Sequence, residues 1–320
     1  MRIIKFLLVA VGVALTALPG AALAQGGRTV RLVVPYPPGG SADILARLLG
    51  QQISQARGVN IVVENRPGAG TVIATEYVSK AAPDGNTVLM MANSFVINPH
   101  MRKLSYDPLT SFLPVVLLVT SPQVIVVNVN SPYKKFADLV DAARKDPGKL
   151  TMASVGPATT QHIGFEQLKQ VTKADMTFVP FPGNAPAVNS LLGDHVTAVF
   201  ANYSEVFEQL KAGKLRALAT TARSRIAPLP DLPTMAELGY KDFEVEVWFG
   251  LVVPARTPKG AASQLAEWFT AAMQAPEVKP RLTVLGLYPV DAATADFPAL
   301  LRRRSDEYAK IMKEAGIKGE

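Results

Sequence analysis

At residues 30–53, VRLVVPYPPGGSADILARLLGQQI, a short β-prone run passes through two prolines and two glycines into an amphipathic helical pattern. Val30, Leu32, Val33 and Val34 make the continuous apolar run of a strand buried on both faces of a parallel sheet, and the segment from Pro35 to Gly40 stops it. Ser41 reads as a helix N-cap. Asp43 stands in the first turn, where the helix dipole favours an acid, and Ile44, Leu45, Leu48, Leu49 and Ile53 supply an apolar face. Strand, tight loop and helix in that order call for a parallel neighbouring strand and hence an α/β fold. The loop is also chemically suggestive: Gly39 and Gly40 let a ligand approach the backbone, and the first helical amides have no intrahelical acceptor, so they are open to an anion.

The same plan returns twice. Residues 60–64 form a strand, residues 65–70 a small-residue loop, and a helix runs from Thr71 to about Ala81. Residues 149–154 form another strand, Val155-Gly156-Pro157-Ala158 a loop, and Thr159 or Thr160 caps a helix to about Val171. Between and after these units the pattern predicts strands at 87–91, 113–119, 123–130, 196–201, 215–221 and 244–253. Asn98-Pro99 reads as a loop, and helices are predicted at 136–145, 185–192, 205–212, 258–274, 277–285 and 295–315. A chain of 320 residues that is 48% hydrophobic has enough core for about two such domains.

Composition narrows the setting. Arg2 and Lys5, the apolar run 6–18 and Ala22-Leu23-Ala24 have the three parts of a secretory signal peptide cleaved after about Ala24, so a periplasmic location is expected. There is no cysteine, which removes a lipobox, disulfides and thiolate chemistry. The formal net charge of +7 is spread along the chain, with no basic stripe interleaved with aromatics, so nucleic acid is not an expected partner. The three histidines, His100, His162 and His195, lack metal-ligand spacing, and no nucleophile elbow, Walker lysine or dinucleotide fingerprint is present. No catalytic group, metal or cofactor is expected. Two loop-helix units about 120 residues apart could instead hold the two ends of one anion.

Eight segments in register extend this reading: PYPPGGSAD (35–43), ENRPGAG (64–70), PDGNTVL (83–89), INP (97–99), SVGPATTQH (154–162), KAGKLRALA (211–219), LPDLPTMAELG (229–239) and EAGIK (314–318). Together they resemble the Bug family of periplasmic solute receptors, related to the substrate-binding component of tripartite tricarboxylate transporters. The resemblance implies a type II periplasmic-binding-protein fold, a Venus flytrap of two α/β lobes around an interlobe ligand cleft. Lobe 1 would comprise residues 28–127 and 247–320, and lobe 2 residues 128–246, with crossings near Val127 and Val247.

The resemblance also implies a monomeric receptor that captures a small organic carboxylate and passes it to membrane transporter subunits or a sensor kinase. Its ligand contacts would be Tyr36, Gly40, Ser41, Ala42, Asp43, Ala69, Gly70 and Ser94 in the first lobe. In the second they would be Ser154, Gly156, Thr159, Thr160 and His162, with Asn202 reading the variable end. Relatives often carry glycine where this chain has Thr71, and Gly-Ser at Ala158-Thr159. Two further hypotheses compete: a receptor of this fold for a neutral or amphoteric solute such as an amide or amino acid, and a small-acid hydrolase or isomerase using Ser41 or His162.

Overall fold

The computed structural model describes residues 27–241, 243–291, 296–317 and 319. The expected signal peptide, residues 1–24, lies outside them. Strand β1 (Thr29–Val34) is flanked by β2 (Asn60–Asn65) and β3 (Thr87–Met91), both parallel to it. Helix α1 (Ser41–Arg57) makes the first crossover. A 3-10 turn at Ala69–Thr71 leads into α2 (Val72–Ser79), and α3 (Ser94–Met101) follows β3. Val30, Leu32 and Val34 pack on one face against Leu45, Leu49, Leu265 and Phe269; Val33 packs on the other with Phe95, Phe297 and Tyr308. The continuous apolar run of β1 thus has the two-sided burial that its composition predicts.

The second half repeats the layout. β5 (Thr151–Val155) pairs in parallel with β6 (Thr177–Phe181) and β7 (Ala198–Asn202), joined by α5 (Thr160–Thr172) and α6 (Asn184–Leu192). α4 (Phe136–Lys145) precedes β5, and α7 (Tyr203–Lys211) with β8 (Leu215–Thr220) follows β7. Two further cores, one around Ile125, Met152, Phe165 and Phe200 and one around Val126, Leu191 and Tyr203, cover its two faces.

One strand joins the halves. Residues 113–119 and 123–130 read as two strands, yet β4 (Phe112–Asn128) is continuous. It pairs antiparallel with β9 (Glu246–Pro254) as far as Pro122, opposite Glu246, and from Gln123 onward with β7 and β8. Pro122 falls at this change of partner, where a missing N–H costs the ladder least. The chain returns along β9 to α8 (Lys259–Gln274), α9 (Lys279–Val284), the short β10 (Tyr288–Pro289) and α10 (Phe297–Glu314), which packs on the first half.

Asn98-Pro99 also departs from expectation, since it lies inside α3 rather than in a loop. Pro99 removes one helical N–H. The Asn98 side chain donates to Ser94 O (2.9 Å) and Gly70 O (2.7 Å), tying the helix to the preceding loop, and Phe95, Val96 and Ile97 are buried.

Candidate functional site

Where the halves meet, five helices point their N-termini into one cavity. α1 contributes Gly40, Ser41 and Ala42; α3 contributes its cap Asn93 and Ser94; α5 contributes Thr159, Thr160 and Gln161. α6 brings Gly183, Asn184 and Ala185, and α7 brings its cap Asn202 and Glu205. Tyr36, Val155, Val247 and Phe249 complete the wall. Each N-terminus carries a partial positive charge of about half a unit, so the helix ends favour an anion although no lysine, arginine or histidine lines the cavity.

The halves are closed over it. A Cβ on Gly183 would stand 3.1 Å from Pro37 Cδ, and one on Gly70 3.3 Å from Pro157 O, so the facing loops are in contact. The cavity measures about 30 Å³, room for about two waters. Tyr36, Val155 and Thr159 separate it from an outer cavity of about 270 Å³, lined by Ala69, Gly70, Gly156 and Pro182 among others.

The expected contact residues fall into three groups. Tyr36, Gly40, Ser41, Ala42, Ser94, Thr159, Thr160 and Asn202 line the inner cavity; Ala69, Gly70 and Gly156 line the outer one. Tyr36 hydroxyl and Ser94 Oγ are 3.0 Å apart, and burial pushes the phenol up to about 12. Asp43, Ser154 and His162 line neither cavity. Asp43 is 3% exposed and turns back on its own loop, accepting from Gly39 N, Arg47 Nε and Asn65 Nδ2 at 2.9–3.0 Å. Burial opposes its charge, but the Arg47, Gly39 and Asn65 donors outweigh burial and hold its carboxyl below the usual range.

Ser154 Oγ donates to Phe200 O, tying β5 to β7. The His162 ring packs 4.8 Å from Phe178, where burial lowers its pKa. Thr159 is the α5 cap, its Oγ1 accepting from His162 N at 3.2 Å. Ser41 is not a cap: Gly40 takes that position and Ser41 opens the helix. Its hydroxyl is therefore available elsewhere, and meets Ser204 Oγ at 2.6 Å.

The sequence reading missed Glu205. It placed this residue only at the start of the helix expected over 205–212, although Asn202-x-x-Glu205 has the spacing of a capping box. Asn202 makes no side-chain cap bond; Glu205 instead crosses the cleft, and its Oε1 accepts from Ser41 N at 2.8 Å. Burial pushes its carboxyl above the usual range, although the Ser41 amide and hydroxyl, Asn184 and Asn202 pull the other way. Glu205 Oε2 is buried without a hydrogen-bond partner, and so is Asn184 Oδ1.

Residues 45–317 match the family model described as tripartite tricarboxylate transporter family receptor (TctC). The chain belongs to the TctC receptor family. Protein BugT of Bordetella pertussis is 32% identical to this receptor over 94% of each chain, and a UPF0065 protein of Pseudomonas sp. strain P51 is 33% identical over 90% of this chain and 86% of its own. Among solved structures, the periplasmic binding protein BugD is 33% identical with a TM-score of 0.87, covering 92% of this chain and 99% of its own. An R. palustris protein with adipate is 30% identical, TM-score 0.87, covering 92% and 100%. MatC of Rhodopseudomonas palustris with bound malate is 29% identical, TM-score 0.82, covering 89% and 98%.

The receptor therefore has the two-lobed fold of the Bug and TctC periplasmic binding proteins, and it is a solute-binding protein rather than an enzyme. No helix among the described residues is long and apolar enough to cross a membrane.

Proposed function

We propose that this receptor captures a small organic carboxylate between its lobes for tripartite tricarboxylate-type uptake or for sensing. The observation that carries the reading is the convergence of five helix N-termini on a cavity with no basic side chain. Such a site offers an anion fixed N–H donors and aligned dipoles without a lysine or arginine. The adipate and malate bound by two relatives belong to the same chemical class.

We place the carboxylate at the Thr160 and Gln161 amides, the first two of α5, because the corresponding α1 amide of Ser41 already holds Glu205. Ligand bridging of both lobes favours the closed form by differential affinity. We place the lobe crossings at residues 122–123 and 245–246, where β4 changes partners and β9 begins.

Calorimetry and thermal shifts with adipate, malate, succinate, 4-aminobutyrate and neutral diamides test the reading. Binding and a raised Tm with at least one carboxylate are expected; stabilisation by diamides alone would overturn it.

A further inference from the structure

Glu205 makes the two ends of the cavity chemically unlike. At the α5 end, the Thr160 and Gln161 amides present donors. At the α6 and α7 end, Glu205 Oε2 and Asn184 Oδ1 are acceptors that are buried with no donor, and Asn184 is only 3% exposed. We propose that Glu205 and Asn184 form an acceptor pole that selects carboxylates whose other end is a hydrogen-bond donor, an ammonium or a primary amide, over dicarboxylates. This rests on the carboxylate reading above and narrows its substrate class.

The pole is held in place. Glu205 Oε1 accepts from Ser41 N, and the adjacent Ser204 hydroxyl meets the Ser41 hydroxyl at 2.6 Å, so the start of α7 is pinned to the start of α1 in the closed form. A second carboxylate arriving there would find its natural donor, the Ser41 amide, occupied by a carboxylate of the protein. In a site from which water is largely excluded, that carboxylate and Glu205 could not both ionise without like-charge repulsion. An ammonium or amide N–H₂ presents at least two donors, enough for both unpartnered oxygens. Burial, which raises the Glu205 pKa, disfavours an isolated carboxylate at this position, and a cationic ligand end would supply the counter-charge.

Matched probes test this on the purified mature chain. Succinate, succinamate and 4-aminobutyrate form one set, glutarate and 5-aminovalerate a second, and alanine is added for a donor adjacent to the carboxylate. Calorimetry should rank at least one amine- or amide-ended member tenfold or more above the dicarboxylate of its set. Glu205→Gln should shrink that preference about tenfold and improve dicarboxylate affinity, while Asn184→Asp, which adds an acid to the pole, should widen the preference for amines. Circular dichroism confirms folding, and if one variant fails to fold the other carries the test.

Dicarboxylates binding the wild type as tightly as their donor-ended counterparts would overturn the pole and leave the carboxylate reading intact. So would a Glu205→Gln variant whose ratios stay within twofold. Absence of binding by every carboxylate probe would overturn both.

Discussion

The loops at residues 35–43 and 155–162 follow one plan, a buried strand passing through small residues and proline into a helix, yet they treat their backbone donors differently. In the first, the acid of the opening turn serves the loop itself: Asp43 accepts from Gly39, Arg47 and Asn65, and Ser41 N donates to Glu205 from the other lobe. In the second, Thr159 caps locally, and Thr160 and Gln161 open α5 toward the cavity with no acid in the first turn. Similar local sequence therefore yields one jaw already engaged by an internal carboxylate and one available to a ligand. Which amide meets the solute depends on what the opposite lobe delivers.

The largest effect that would test this contrast is Ser41→Glu. A second acid beside Glu205 brings like charges together in a partly dry cleft, which costs several kcal/mol, so ligand affinity should fall roughly a hundredfold or more while circular dichroism stays native. Unchanged affinity in calorimetry would mean that the first jaw is not coupled to the cleft.

Thr160→Pro removes a single donor from the other jaw. Proline suits the first helical position, and Thr159 is already extended at φ −118°, ψ 159°, so α5 should persist. Loss of one hydrogen bond to a charged group, worth about 1.5–3 kcal/mol, predicts roughly a tenfold or greater loss of carboxylate binding. Wild-type affinity in this variant would move the carboxylate away from α5.

Asp43→Asn should separate stability from binding. Because the folded pKa of Asp43 is depressed, its ionised form stabilises the fold above the ordinary aspartate range, and that contribution fades as pH falls through the folded pKa. The variant should be about 1–3 kcal/mol less stable at neutral pH, converge on wild type in acid, and bind the ligand unchanged. Denaturant melts across pH with parallel titrations check this, and a large affinity loss would return Asp43 to the site.

The smallest effect is expected at Ala158→Gly. Ala158 sits at φ 61° and is fully buried. Relief of left-handed strain, about 1–2 kcal/mol, opposes the loss of a buried methyl, about 0.8 kcal/mol, so stability should change by no more than about 1 kcal/mol. A large loss would show that the methyl group, which packs with the first-lobe core, holds the lobes together.

Much of the architecture was legible because it is written in local periodicity. The run at Val30–Val34 announced a strand covered on both faces, and the helix starts near Ser41, Thr159 and Ala185 fell within a residue or two of their places. The misreadings have local causes as well. Pro122 lies in the gap between the strands expected at 113–119 and 123–130, but β4 changes partners at that residue and tolerates a proline there. Asn98-Pro99 suggested a loop, but burial of Phe95, Val96 and Ile97 outweighs the missing N–H.

Of the expected contacts, the small residues and threonines came out on the cavities, since loops at the ends of parallel strands gather along one edge of a sheet. Asp43, Ser154 and His162 went elsewhere because each found a partner on its own lobe: Arg47, the Phe200 carbonyl and the Phe178 ring.

The sequence by itself determined the α/β class, the repeated strand-loop-helix unit and, through its eight family segments, a receptor rather than an enzyme. Only the tertiary structure decided that Glu205 reaches Ser41 across 164 residues of chain and leaves two acceptors unpaired in the cleft. Periodicity records which face of a segment is buried. It carries no information about which distant side chain will lie opposite that face, because closure of two lobes sets that pairing.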